Sequence, residues 1–345
     1  MKQSRIVRKT KNNAALMGMI GILGLAPATI ALASYLPGAT VAEATVNIDI
    51  LSEMSSSNSS GTSLTNPWLA DGQTRVVNFT ITGSKLLNVS TDRTGSKQVY
   101  LGVPSEMLGN VTSDGQTEVD SNVTLDLDNI SFLNTVFTTA QALNGQVLNI
   151  LSGTLGNLTG VYFNVQDFNE KLEVLENVEH IGNVNIDADS ELASSGKYIS
   201  SDIEDSLGIT LAANVRKILI DLKTATTNLK ATGSGITSNY VAGLINTTLI
   251  PVKAALVNAI DLALPLLDNG GQAVDELVDA SILGDTNVVV PVKITSPLAS
   301  PTLNNLLDND TTDLKFPGVV IQTDTNLDKL VTFREDYYSH IYYKK

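Results

Sequence analysis

Two hydrophobic periods divide this chain of 345 residues, and their order limits the fold more than any single motif does. Near the N-terminus apolar and polar residues alternate. Val77, Phe79 and Ile81 stand against Asn78 and Thr80 within residues 76–82, and similar runs follow at 98–103 and at 123–127, where Asp126 and Asp128 alternate with the apolar positions. A period of two sends successive side chains to opposite faces of a strand, so these segments predict a sheet with one wet face. An earlier strand is expected at residues 46–51. The polar run EMSSSNSSGTSLT at 53–65 reads as a flexible loop after it. The period of two returns at the far end, in Val288, Val290, Val292 and Ile294, then at 319–323 and 329–333.

Between these ends the spacing is three and four. Leu133, Val136, Phe137, Ala140, Leu143, Val147 and Ile150 mark a helix over 132–151, stopped by Gly153 and Gly156. Two longer segments, about 201–231 and 238–267, flank the turn-forming run Thr232-Gly233-Ser234-Gly235 and predict an antiparallel helical hairpin. Ile203, Leu207, Leu211, Val215, Ile218 and Leu222 form the stripe of the first. In the second, Pro251 and Pro265 are expected to kink or break the helix, and an apolar character nearly all round points to core packing, with a membrane-active or partner-binding face over 240–267 as the alternative. A short helix is expected at 275–282. Strands at both ends with helices between them predict an α+β fold: an antiparallel sheet or sandwich from N- and C-terminal strands with a central helical hairpin region. One unit over 45–345 is expected, with a helical subdomain at about 201–283.

Lys2, Arg5, Arg8, Lys9 and Lys11 precede an apolar stretch at 14–33, the order of a signal peptide. Small residues allow cleavage after Ala44, with Ala42 as a competing site, so residues 1–44 are read as that signal. The rival reading is an uncleaved anchor over 14–36, which Gly18, Gly21, Gly24 and Pro27 make a mediocre one. No later segment keeps about 18 apolar residues free of polar breaks, so no transmembrane segment is expected in the mature chain. The formal charge of −14 becomes more negative once the basic leader is gone, and such a surface repels nucleic acid and anionic lipid. The chain has no cysteine, so a secreted or cell-surface protein of this sequence must rely on its core and hydrogen bonds. That fits a Gram-positive producer.

Chemistry is sparse. GxSxG is absent, and His180 and His340 are the two histidines, which leaves nucleophilic catalysis without its usual base. Two histidines without cysteine do not make the usual zinc sets. Neither GxxxxGK[ST] nor GxGxxG occurs in the mature chain. The expectation is therefore no catalytic residue, no cofactor and no enzyme, with a hydrolase that uses carboxylates alone as the remaining catalytic alternative. Alternating carboxylates make two weak calcium candidates, Asp187, Asp189 and Glu191 in one loop and Asp308, Asp310 and Asp313 in another, although neither has the EF-hand pattern. The plainer reading is a solvated acidic loop. Tyr337, Tyr338, Tyr342 and Tyr343 suit either a recognition surface or a closing edge strand.

Four segments carry a family likeness: DGQTRVVNFTITGSKLLN from Asp71, KQVYLGVPSEMLGNV from Lys97, GLINTTLIPVKAALVNAI from Gly243 and ASILGDTNVVVPVKITSP from Ala280. Together the chain resembles the adhesive domain, an N-terminal adhesin module, of Gram-positive bacterial surface proteins. The resemblance implies surface adhesion to an extracellular protein or glycan ligand, or to other cell-envelope proteins, and carries over no binding residues. A structural or assembly component of the envelope is the alternative. Such domains are commonly followed by repeats and an LPxTG sorting signal, which are not found in these residues, so release or noncovalent retention is expected.

Overall fold

Alternation at the two ends of the chain does build strands, and a computed structural model gathers them into two sheets. It describes residues 48–49, 51–85, 96–127, 130–153, 160–268, 272–296, 311–323, 327 and 333–344, all within the unit Asn47–Lys345. Strands come first: β1 (Ile48–Asp49), β2 (Leu51–Asn58), β3 (Trp68–Leu69), β4 (Thr74–Lys85), β5 (Ser96–Gly102), β6 (Val111–Ser113) and β7 (Gln116–Leu125). Helices and short strands then intermix as α1 (Ser131–Ser152), β8 (Val161–Phe163), α2 (Gln166–Glu176), β9 (His180–Asp189), β10 (Glu191–Leu192), β11 (Tyr198–Asp202), α3 (Glu204–Asn228), β12 (Ala231–Gly233), α4 (Ile236–Ala263) and α5 (Gln272–Asp279). The order closes on β13 (Ser281–Thr295), β14 (Thr312–Thr323) and β15 (Tyr338–Lys344). This is an α+β fold with antiparallel sheets from both ends of the chain and helices in the middle.

Among the described residues one sheet has seven strands, ordered β10-β11-β5-β14-β15-β3 with β1 also on β14, and the other has six, ordered β2-β4-β13-β7-β9 with β6 also on β13. β8 and β12 form a separate pair. The two larger sheets meet through apolar faces. Phe79 of β4 packs on Phe316 of β14 with ring centroids 4.9 Å apart, and both are fully buried. Val77, Ile81, Val288, Val290 and Val292 line one side of this core, and Val99, Leu101, Val320 and Ile341 are buried on the other sheet. Each such side chain contributes about 1.5–3 kcal/mol by leaving water. The closing strand is latched at its end, where Trp68 meets Tyr343 edge-on at 5.6 Å and Arg75 lies over Trp68 at 4.9 Å. Arg75 also grips Asp71 through two nitrogens at 2.6 and 3.1 Å, which holds that carboxyl well below the usual carboxylate range.

The helices form a second layer. α4 packs on both α1 and α3, and α3 also lies against α2, α5, β9 and β5. α1 buries Leu133, Val136, Ala140, Leu143 and Val147, following its stripe. Its first turn is capped from a distance: Ser131 donates its backbone N–H and its hydroxyl to the Glu276 carboxylate of α5 at 3.3 and 3.1 Å. α3 buries Leu207, Leu211, Val215, Leu219 and Leu222. At Gly208 a Cβ would meet Val274 Cγ1 of α5 at 2.7 Å, so a residue without a side chain lets the two helices close on each other.

Several expectations are corrected. The polar run after Leu51 is not a loop throughout: β2 reaches Asn58, because Leu51 and Met54 anchor it in the core and Ser55 and Thr82 share a hydroxyl hydrogen bond of 2.8 Å across the ladder. Pro251 does not break its helix, which runs unbroken from Ile236 to Ala263 while Ile245, Leu249 and Leu256 hold it in place. Pro265 does mark a change, to a 3-10 turn over Leu264–Leu267. Of the run expected to be a turn, 232–235, Thr232 and Gly233 belong to β12, and Ser234 and Gly235 bend the chain into α4. The short helix ends at Asp279, and Ser281 and Ile282 already belong to β13. The strand β15 closes the chain; of the strand expected at 329–333, residues 329–332 lie outside the described residues and Phe333 is not in a strand. α2 was not expected, and β9 runs on through Asp187 and Asp189, which were expected in a loop.

α4 departs furthest from the core reading. One side buries Ala242, Ile245, Leu249, Leu256, Ala259, Ile260 and Ala263, yet Ile236 is 93% exposed, Leu262 75% and Tyr240 70%. The stretch Ile236–Leu267 has a mean hydropathy of 1.6 over its most apolar window, long and apolar enough by composition to cross a membrane, contrary to the expectation that no later segment is.

Candidate functional site

Which residues the outer faces of the sandwich bring together depends on register. Across the seven-stranded sheet Tyr198 of β11 pairs with Gly102 of β5, and Pro317 of β14 pairs with Tyr338 of β15. Pro317 lies against Gly102, where a Cβ would meet its Cγ at 2.6 Å. The row therefore reads Tyr198, Gly102, Pro317, Tyr338, with a low floor between two phenol rings. Tyr100 stacks on Tyr198 at 5.1 Å and on Phe333 at 5.5 Å, and Phe333 meets Tyr338 edge-on at 6.2 Å. These four rings make an arc around a cleft of about 530 Å³, within the size range of small-ligand sites. Lys197, Lys315 and Glu106 stand at its rim. Lys315 Nζ lies 5.5 Å from the Tyr338 ring centroid and 3.4 Å from Glu335 Oε2.

Continuing along the same face, His340 pairs with Lys315 across β14 and β15. Its Nδ1 is 2.9 Å from Asp313 Oδ1, and its ring is parallel to that of Tyr342 at 6.2 Å. The tyrosine-rich end thus splits by alternation: Tyr343 is fully buried inside, whereas Tyr338 and Tyr342 are half-buried outside. Tyr337 precedes the strand and is buried.

The six-stranded sheet has a different outer face. Glu53, Asp120 and Asp285 line a cleft of about 470 Å³ with Asn183 and Asn287. Two bulges shape it, one in β2 between Ser52 and Ser55 and one in β13 between Leu283 and Thr286. Glu53 takes a φ of 50°, uncommon for a residue with a Cβ. A third hollow, about 460 Å³, lies between α2 and α3 and includes Glu170, Glu173, His180 and Lys217. His180 opens β9 as an exposed residue, 3.3 Å from Glu179 Oε1.

The calcium candidates are placed differently from the loops expected. Asp187 and Asp189 point outward from β9 in the six-stranded sheet, whereas Glu191 begins β10 in the seven-stranded one. A strand sets alternate carboxylates side by side along one face instead of wrapping them around a point. Asp189 Oδ1 accepts from Gln116 Nε2 at 2.9 Å. Asp313 is the His340 partner, and Asp308 and Asp310 lie outside the described residues. No group of three or more His, Asp or Glu able to hold a metal ion occurs among the described residues. Ala42, Ala44 and Asp128 also lie outside them.

Sequence reading missed one charged group in the core. Lys97 is only 4% exposed, on the inner face of β5, and its Nζ donates to Val278 O at 2.7 Å. Burial pushes its ammonium below the usual 10.5, with Glu204 and Asp279 opposing. Burial likewise pushes the Glu204 carboxyl up, with Lys97 opposing.

Fold and clefts together define a two-sheet domain with a helical layer and an aromatic recess on one sheet face. The chain belongs to the family described as "Putative adhesive domain (group 17)", whose model matches residues 43–342. That membership suggests an adhesion-type role and a cell-surface or extracellular location. No curated protein and no solved structure matches the chain.

Proposed function

We propose that this protein is an exported adhesive module of a Gram-positive cell surface, that it binds an extracellular partner through the outer face of its seven-stranded sheet, and that it is not an enzyme. The observation that carries the reading is the aromatic cleft in a chain of an adhesive family: rings from three strands and the segment before β15 converge on one recess with ammonium and carboxylate groups at its rim. Aromatic side chains supply large contact area at low conformational cost, which suits recognition. Binding of this kind needs no cofactor or calcium. The basic and apolar leader over 1–44, the acidic charge and the lack of cysteine support export.

The test is binding of the purified protein to an array of matrix proteins and glycans, with envelope extract alongside. Saturable binding to a host component, weakened by Tyr338→Ala, is expected. Binding to envelope material alone would instead support an envelope assembly role, which the exposed apolar face of α4 favours.

A further inference from the structure

Resting on the adhesive reading of the same cleft, we infer that its ligand is an oligosaccharide. The recess lies on the face of a sheet whose backbone groups are already paired in the ladders β11–β5, β5–β14 and β14–β15. A peptide cannot add there as another strand, so the ligand must be read by side chains alone. What those side chains offer is flat aromatic surface beside charged groups of both signs. A sugar ring presents the complement, an apolar face of C–H groups with a rim of hydroxyls that each donate and accept. Lys197 and Lys315 supply donors, and Glu106 supplies an acceptor.

The shape sets the length. Tyr198 and Tyr338 are carried on strands separated by two others, and three spacings between neighbouring strands amount to about 14 Å. Gly102 and Pro317 keep the ground between them low, since any Cβ at Gly102 would collide with the proline ring. An extended chain of sugars fills such a trough, whereas a single monosaccharide reaches only one wall. A nucleic acid, which also stacks on aromatic rings, is disfavoured by Glu106 and by the overall charge of −14.

The experiment measures affinity of the purified protein for neutral and acidic oligosaccharides immobilised on one array, and for enzymatically deglycosylated matrix proteins on another. Saturable binding on the first is expected, weakened about tenfold or more by Tyr198→Ala or Tyr338→Ala and retained by Tyr338→Phe. Binding only to deglycosylated protein, lost in the same variants, would overturn the sugar assignment and leave adhesion at the cleft standing. Binding to neither array, or binding indifferent to both substitutions, would remove the cleft reading as well. Melting curves establish that each variant is folded. Lys197→Glu, at an exposed position, keeps the test open if a tyrosine variant is not, and it is expected to weaken sugar binding.

Discussion

On the outer face of the six-stranded sheet Glu118 stands opposite Asp187, Asp120 opposite Asn185 and Gln116 opposite Asp189, whereas the corresponding row of the seven-stranded sheet runs Tyr198, Gly102, Pro317, Tyr338. Both faces come from strands that alternate faithfully, and both sheets bury the same kind of apolar side chain between them. The difference shows that alternation decides which residues point outward but not what they assemble into. On one face register piles up carboxylates and amides that water solvates well. On the other it lines up rings around a glycine and a proline, leaving a recess with apolar walls.

The comparison can be broken most forcefully through the core that both faces share. Phe316→Ala empties the contact with Phe79 and is expected to cost about 3–5 kcal/mol, read as a lower urea midpoint. Because one core supports both faces, tyrosine fluorescence and far-ultraviolet circular dichroism should report the same transition; separate transitions would show that the sheets are independent. A narrower change is Gly102→Val, which forces a side chain against Pro317 and Tyr100. Overpacking of this kind costs about 1–3 kcal/mol, and any ligand affinity should vanish while the acidic face is untouched.

Charge separates the faces in a third way, since carboxylates lie outside in water while Lys97 lies inside. Lys97→Met keeps the volume, and Val278 O retains a donor in the Ser281 hydroxyl at 2.7 Å. The variant is expected to be neutral or more stable by about 1 kcal/mol at neutral pH. Because the folded ammonium titrates below 10.5, the unfolded chain binds more protons between that lowered value and 10.5, so stability of the parent should rise with pH there. Denaturant melts across that window should show the rise in the parent and its loss in the variant. Glu204 works in the opposite sense: its raised folded pKa means stability falls as pH rises from 4.5 through the folded value. The smallest effect concerns the acidic face itself. Glu118→Gln relieves a like-charge pair directly across the ladder and is expected to add about 0.2–1 kcal/mol, diminishing as salt is added and leaving ligand binding unchanged.

Legibility followed how purely each segment expresses its period. The α1 stripe and the alternation of Val288, Val290, Val292 and Ile294 are undiluted, and both elements stand where they were expected, though β13 begins earlier. α2 carries a stripe too, Phe168, Leu172 and Leu175, and β9 alternates Val184, Ile186 and Ala188. Interleaved Asp made the end of β9, around Asp187 and Asp189, look like solvated loop, and interleaved Glu masks the short α2 stripe. The aromatic cleft was less legible still, because Tyr100, Tyr198, Phe333 and Tyr338 are far apart in sequence and no spacing rule relates them. The tail tyrosines were noticed as a cluster, yet only Tyr338 lines the cleft.

Sequence by itself determined the layer order, strands at both ends and helices between, because a strand or helix must bury its own apolar face and so writes that face into local spacing. It also carried the family, through segments spread over the whole domain. Tertiary structure alone decided that Lys97 would be buried, that α4 would leave apolar side chains such as Ile236 and Leu262 in water, and that four distant rings would close around Gly102 and Pro317. Each of those outcomes depends on which strand or helix lies next to which, and a local period holds no information about a neighbour a hundred residues away.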